Sequence, residues 1–447
     1  MSKGLVGRTF LLLWLSETIF TMGGALTSFA LGVWVFERSN SVAQFSYVML
    51  SSALASLMCL PFAALLADRF DRRWVIALCD CANILIIGVL AVLAFNHWLV
   101  VTHLYIFAAI ASLTGTLRHP SYQAAVAQIV PTGQLIRANA MMGMSAGLVQ
   151  IGTPLCAGYL MAASGLEGVI AIEVLTALGG AGALLYALMG IPHALRGDPV
   201  QVSLNLSRGI QNSFAGVLCY FKAHPLMGGL LAYVLIQESL LVLVATMVMP
   251  LVLATHNSAT LGWVMTFGAI GGLTGSLILM ALNVTKRLMI WVLASDAVLA
   301  TFVVLAGLAS TQELWSLCAF GVFASGGVSV VCSHALWMRK VPNARQGSVF
   351  ASIDAGKLIA TCGVLLIGGA TIEQIFEPMM MPGALAAQSM GAWLGVGKGR
   401  GVALLFVLTG VTFGIASLVA MLHPRLRAID RLIPDSGKSS PPLTVGQ

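Results

Sequence analysis

The sequence predicts an all-α membrane protein: twelve transmembrane helices in two pseudo-symmetric six-helix bundles. Three observations carry that prediction. Of the 447 residues, 58% are hydrophobic and 9% charged, against about a quarter charged in a soluble domain. Apolar runs of about 20 residues or more, the length a bilayer crossing needs, recur between short polar breaks. Short related motifs also recur at a near-constant offset, which points to a duplicated half.

The runs lie near 9–36, 43–67, 74–95, 99–120, 139–163, 168–192, 226–254, 260–283, 288–309, 313–337, 348–371 and 401–422. Each must be a helix, because lipid offers backbone groups no partner outside the segment and the runs are too long for barrel strands. Span 1 is also too long for the apolar core of a signal peptide. Composition excludes other classes. A mean hydropathy of +0.94 is far above that of an ordinary soluble enzyme or a disordered chain. The 47 glycines follow no three-residue period. The eight cysteines sit mostly inside apolar runs with no Cys-x-x-Cys, and act as small apolar side chains.

A net charge of +7 does not imply nucleic acid, because the basic residues fall in the breaks between runs and form no basic face. With the first residues inside, 19 of the 23 Lys and Arg lie in inner segments, 3 in outer loops and Lys357 within a span. That bias places both termini in the cytoplasm. The break at 193–225 carries Pro199, Arg208 and Lys222 and reads as a cytoplasmic linker. It separates an N-terminal bundle, 1–192, from a C-terminal bundle, 226–422, and a disordered cytoplasmic tail at 423–447 follows. The outer segment 372–400 is either a small cap or a mobile loop.

The repeat is read from three pairs. Ser16-Glu17-Thr18 in span 1 answers to Gln237-Glu238-Ser239 in span 7, an offset of 221; Arg72-Arg73 answers to Lys286-Arg287, offset 214; Val130-Pro131 answers to Val341-Pro342, offset 211. Two parallel halves of this kind can rock about a central cavity, the geometry alternating access requires. No phosphate-binding P-loop, H-E-x-x-H or G-x-S-x-G occurs, so no cofactor, metal site or catalytic residue is expected and an ion gradient is the expected energy source.

The sharpest local motif is ADRFDRR at 67–73, after span 2. It resembles the loop 2–3 signature G-x-x-x-D-R-x-G-R-R of the major facilitator superfamily. Asp68, Arg69, Arg72 and Arg73 match, while Ala64 and Asp71 replace glycines. The resemblance implies a conformational latch of Asp68, Arg69, Asp71, Arg72 and Arg73, with the arginines paired to Asp71 or Asp80. Stretches at 26–42, 61–80, 137–158, 336–342 and 376–401 are similar to the drug–proton antiporters of the macrolide-efflux and siderophore-exporter type. Pro154 and Gly158 are remnants of that branch's G-P-x-x-G-G motif in span 5, with Thr153 and Ala157 in place of glycines.

Ionisable groups inside spans are the remaining candidates, since a charge at the bilayer centre costs at least ~2.5 kcal/mol. One or both of Glu17 and Glu238, at repeat-equivalent positions, are expected to bind the coupling proton. Arg118 resembles the basic residue that many antiporters use to steer such an acid. Asp354 and Lys357, three apart on span 11, are expected to neutralise each other. Asp80 and Asp296 are expected to hold inner arginines. The aromatic and methionine content suits a bulky amphipathic solute. The expectation is a monomeric secondary transporter in a bacterial inner membrane, surrounded by the lipid bilayer, using protons as coupling ion to export a small amphipathic substrate. A lysophospholipid flippase or uptake symporter on the same fold is the alternative; a polytopic membrane enzyme or a non-transporting scaffold stands behind both.

Overall fold

The computed structural model describes residues 7–189, 221, 225–282 and 284–433. Among these residues every regular element is helical, as burial in lipid demands. Span 1 is Arg8–Ser39, span 2 Val42–Arg69, span 3 Arg72–Phe95, span 4 Val101–Ile129, span 7 Pro225–Leu253 and span 8 Ser258–Leu282. Span 9 is Leu288–Leu308, span 10 Gln312–Lys340, span 11 Asn343–Thr371 and span 12 Arg400–Leu422. Ten described stretches are long and apolar enough to cross a membrane. Span 4 is not among them, because Arg118, His119 and their polar neighbours dilute its apolar content.

Spans 5 and 6 have no loop between them. They run as one 55-residue element, Leu135–Met189, interrupted only at Gly165, with φ 65° and ψ −167°. A side chain at that φ would be strained, so glycine is needed there. The interruption folds the chain back on itself. On span 1 the Trp14 indole N–H donates to the Met141 carbonyl at 3.1 Å, and two residues on the Ser16 hydroxyl donates to the Gly180 carbonyl at 2.6 Å. In a straight helix Met141 and Gly180 would stand about 60 Å apart, so they can meet adjacent turns of span 1 only as two antiparallel arms.

The chain divides into two compact units. The first comprises Met1–Val202, Val248–Thr266 and Leu365–Pro378; the second comprises Ser203–Met247, Phe267–Val364 and Met379–Gln447. The first unit therefore holds spans 1–6 together with the end of span 7, the start of span 8 and the end of span 11. Part of its core is Phe10, Leu13, Ile76, Tyr122, Val126 and Leu184. Within it, Glu373 accepts from the Ser41 hydroxyl at 2.5 Å and from the Ala43 amide at 3.0 Å. That carboxylate satisfies one of the orphan amides at the start of span 2. The second unit has a core that includes Met227, Leu230, Met289, Leu293, Leu336, Trp337 and Val349.

Two peripheral segments are more ordered than a loop and a tail. Segment 372–400 continues span 11 through a π-helical turn, Ile372–Phe376, and then forms the helix Leu385–Leu394. The expectation of disorder from residue 423 is corrected for its first part. Pro424–Arg427 and Ile429–Leu432 are helical turns, and Ile429 is fully buried. Asp430 accepts from the Met289 amide at 3.0 Å, while Lys340 donates to the carbonyls of Asp430 at 2.9 Å and Ile433 at 2.6 Å. An apolar side chain to bury and an orphan amide at the start of span 9 hold this stretch in place. Most of the 193–225 linker and the tail beyond 433 lie outside the described residues. Asp430→Ala is expected to cost about 1 kcal/mol, the value of a helix cap, and the melting temperature of the detergent-solubilised protein measures it.

Candidate functional site

Span 4 places Arg118 inside the first unit, on a helix turn that also carries Ser121 and Tyr122. The Arg118 side chain is 6% exposed. Its Nη1 lies 2.5 Å from Glu17 of span 1, and its Nε lies 2.5 Å from Asp80 of span 3. Phe20, one turn beyond Glu17, lies under the same guanidinium at 4.5 Å from ring centroid to Cζ. A delocalised cation of this shape can serve two carboxylates and an aromatic face at once, which an ammonium cannot. The two acids differ in access: the Glu17 side chain is 20% exposed and that of Asp80 4%. Two carboxylates on one guanidinium carry one surplus negative charge, so the group is neutral when it holds one proton.

Glu17 and Arg118 open into a cavity of about 530 Å³ that lies wholly within the first unit. Its walls are mostly apolar, with Phe20, Leu31, Val48, Met49, Ile87, Leu90 and Phe107. A few hydroxyls and one amide interrupt them: Thr21, Thr27, Ser28, Ser52, Ser112 and Asn83. Few fixed polar groups in a largely apolar wall suit a solute with a hydrocarbon body.

Glu173 also lines the cavity, and the sequence reading passed over it. It lies in the second arm of Leu135–Met189, is 6% exposed, and its Oε2 has no hydrogen-bond partner among the described residues. The rule that singled out Glu17, a carboxylate inside an apolar run, would have found it in EGVIAIEVLTALGG.

The other candidates divide as follows. Asp71 caps span 3 by accepting from the Arg73 amide at 3.1 Å, and it pairs with the Arg73 guanidinium at 2.8 Å. Arg72 is buried and donates to the Ala124 carbonyl of span 4 at 3.3 Å. The side chains of Asp68 and Arg69 lie outside the described residues. Asp80, expected to hold the loop arginines, pairs instead with Arg118, because it faces inward about two turns along span 3. Pro154 and Gly158 face the start of span 8, where the Ser258 hydroxyl donates to the Gly158 carbonyl at 3.1 Å. A Cβ at Gly158 would stand 2.6 Å from the Ser258 carbonyl oxygen, and one at Gly262 would stand 2.5 Å from that of Pro154. Only glycine permits this approach.

In the second unit, Glu238 of span 7 pairs with Lys357 of span 11 at 3.3 Å. This corrects the expected Asp354–Lys357 pair: the long lysine side chain reaches across to span 7, and Asp354 is exposed. Asp296 also departs from expectation. It is fully buried and accepts from the Tyr233 hydroxyl at 2.6 Å and the Gln237 amide at 2.9 Å, with no arginine against it among the described residues. Gln237 also donates to Ser329 at 2.6 Å. The offset of 211 that relates the ends of spans 4 and 10 puts Ser329 at the position of Arg118. The second half thus keeps a buried aspartate and replaces its cation with neutral donors.

Twelve helical spans among the described residues, with a charged network opening into an apolar cavity, are the architecture of a polytopic membrane transporter. The chain belongs to the Major Facilitator Superfamily, whose family model matches residues 13–363. It is 26% identical over 207 residues to macrolide efflux protein A of Streptococcus pyogenes, a match over 46% of this chain and 50% of that protein. The match therefore spans about half the length of that relative. Among solved structures, the nucleoside transporter NupG superposes with a TM-score of 0.65 at 14% identity, covering 92% of this chain and 99% of that one. A bacterial homologue of the human lysosomal transporter Spinster gives 0.66 at 16% identity, covering 95% and 98%. The Escherichia coli xylose transporter XylE, in an inward-open conformation, gives 0.61 at 14%, covering 96% and 97%. At these identities the structures speak for the fold alone.

Proposed function

We propose that this transporter is a proton-coupled exporter of amphipathic small molecules, working by alternating access between halves 1–192 and 226–422. We place it as a monomer in a bacterial inner membrane with both termini cytoplasmic. The observation that carries the reading is the sharing of Arg118 by Glu17 and Asp80 at the edge of an apolar cavity. The network can hold or release one proton, and Glu17 is its acid that lines the cavity. Protonation of Glu17 frees one arm of the guanidinium, and that local change of charge can bias a two-state bundle. The partial match to a macrolide efflux protein supports the direction and the kind of solute. Glu238, already paired with Lys357, offers a second charge that a proton could neutralise.

The test is transport of radiolabelled erythromycin in proteoliposomes under an imposed pH gradient. Solute movement against the proton gradient is expected for the unaltered protein. Glu17→Gln is expected to abolish accumulation while leaving passive exchange of label, because the group then has no exchangeable proton. Accumulation that survives in Glu17→Gln removes Glu17 from the coupling. Accumulation along the gradient instead supports an uptake symporter, and indifference to the gradient removes proton coupling altogether.

A further inference from the structure

The charge balance of the cavity leaves one group unexplained. Two carboxylates line it, Glu17 and Glu173. Glu17 has Arg118, but Glu173 has no ion pair among the described residues, and its Oε2 is buried without a hydrogen-bond partner. Gly24 of span 1 lies beside its other oxygen: a Cβ there would stand 3.9 Å from Oε1. Thr27, one turn along span 1 from Gly24, also lines the cavity, and its hydroxyl is likewise buried without a hydrogen-bond partner. A buried carboxylate oxygen and a neighbouring hydroxyl, neither with a hydrogen-bond partner among the described residues, in a cavity whose walls are mostly apolar, are a recognition feature.

We propose that Glu173, assisted by Thr27, is the cation subsite of this cavity, and that its ligands are hydrophobic cations: an ammonium or similar centre on an apolar body. The inference rests on the reading of the cavity as the ligand site. A lone carboxylate among apolar walls is stable only when neutralised, by a proton or by a cation. A cation that enters replaces that proton: the carboxyl O–H bond breaks, the proton leaves to water, and the carboxylate is left paired with the ligand's charge. The site is neutral before and after. Other ionisable groups around the cavity are Glu17 of span 1, Asp80 of span 3, and Arg118 and His119 of span 4; span 2 contributes none to the lining. Arg118 is already shared by two acids, so it does not compete for Glu173. The apolar part of the ligand would lie against Leu31, Ile87 and Phe107. Selectivity for charge then comes from an otherwise unpaired buried acceptor, whose matching is worth far more than one contact with water available.

The experiment is equilibrium binding to the full-length purified protein, with tetraphenylphosphonium as the permanent cation and triphenylphosphine oxide as its neutral counterpart. Proton release is followed in weak buffer. Glu173→Gln is expected to weaken the cation about tenfold or more and to abolish proton release, while leaving the neutral probe within a factor of about two. Glu173→Asp, which keeps the charge, is expected to retain proton release. Unchanged cation binding in Glu173→Gln overturns the subsite. Equal weakening of both probes also overturns it, because that is the mark of a distorted cavity. If the unaltered protein binds neither probe saturably, the cavity is not the ligand site and the subsite falls with it. None of these outcomes depends on whether transport is coupled to protons, which the vesicle assay measures separately.

Discussion

Arg118→Met is expected to be among the most damaging single substitutions in the protein. Removing one partner of a buried ion pair typically costs about 3–5 kcal/mol, because the remaining charge is left without compensation. Here two carboxylates, Glu17 and Asp80, lose their only cationic partner among the described residues. The stacking of the guanidinium on Phe20 is lost as well. Thermal unfolding in detergent should show a fall of several degrees, and accumulation of substrate in vesicles should stop. The triple variant Glu17→Gln, Asp80→Asn, Arg118→Met removes both orphan charges with the cation, so it should regain most of the stability and none of the coupling. Such non-additivity is the mark of a shared network. A single Arg118→Met variant that melts and transports like the unaltered protein would refute the network.

Gly158→Val is the second large effect, and it acts on movement more than on stability. The end of span 5 and the start of span 8 meet backbone to backbone. The carbonyl oxygen of Ser258 lies where a Cβ on Gly158 would need to be, at 2.6 Å. Overpacking of this kind costs roughly 1–3 kcal/mol, which corresponds to a roughly 5–150-fold shift in a two-state population. If this contact opens and closes during transport, Gly158→Val holds it apart: turnover should drop by about that factor while equilibrium binding to the cavity stays near normal. Gly262→Val, on the opposite face of the same seam, should reproduce the phenotype. Full turnover in either variant would mean that the seam plays no part in the cycle.

How much of this was legible in the sequence differs from element to element. The spans were, because apolar length is a property of each segment alone. The break between spans 5 and 6 is read at 164–167, and Gly165 within it makes the turn. Side-chain partners far apart in sequence were not legible. Asp80 and Arg118 are 38 residues apart and Glu17 and Arg118 are 101 apart, and nothing local announces which helices become neighbours. The same gap explains Lys357: spacing on one helix favoured Asp354, while packing brought Glu238 within its reach. Glu173 was visible under a rule already in use, and the stray isoleucine and aspartate at 429 and 430 were the sign that the stretch after span 12 docks. The loop acid Asp71, in place of a family glycine, proves to be a helix cap, a role its position just before Arg72 makes plain afterwards.

The stretch after span 12 has a practical consequence. Its turns at 424–433 supply the cap of span 9 and two acceptors for Lys340, so they are part of the fold and not a spare end. A reporter or purification handle attached beyond Ile433 leaves those bonds in place. Shortening the gene to end before Ile429 strips them, and poor yield from such a version would reflect a missing clamp, not an intrinsically fragile transporter.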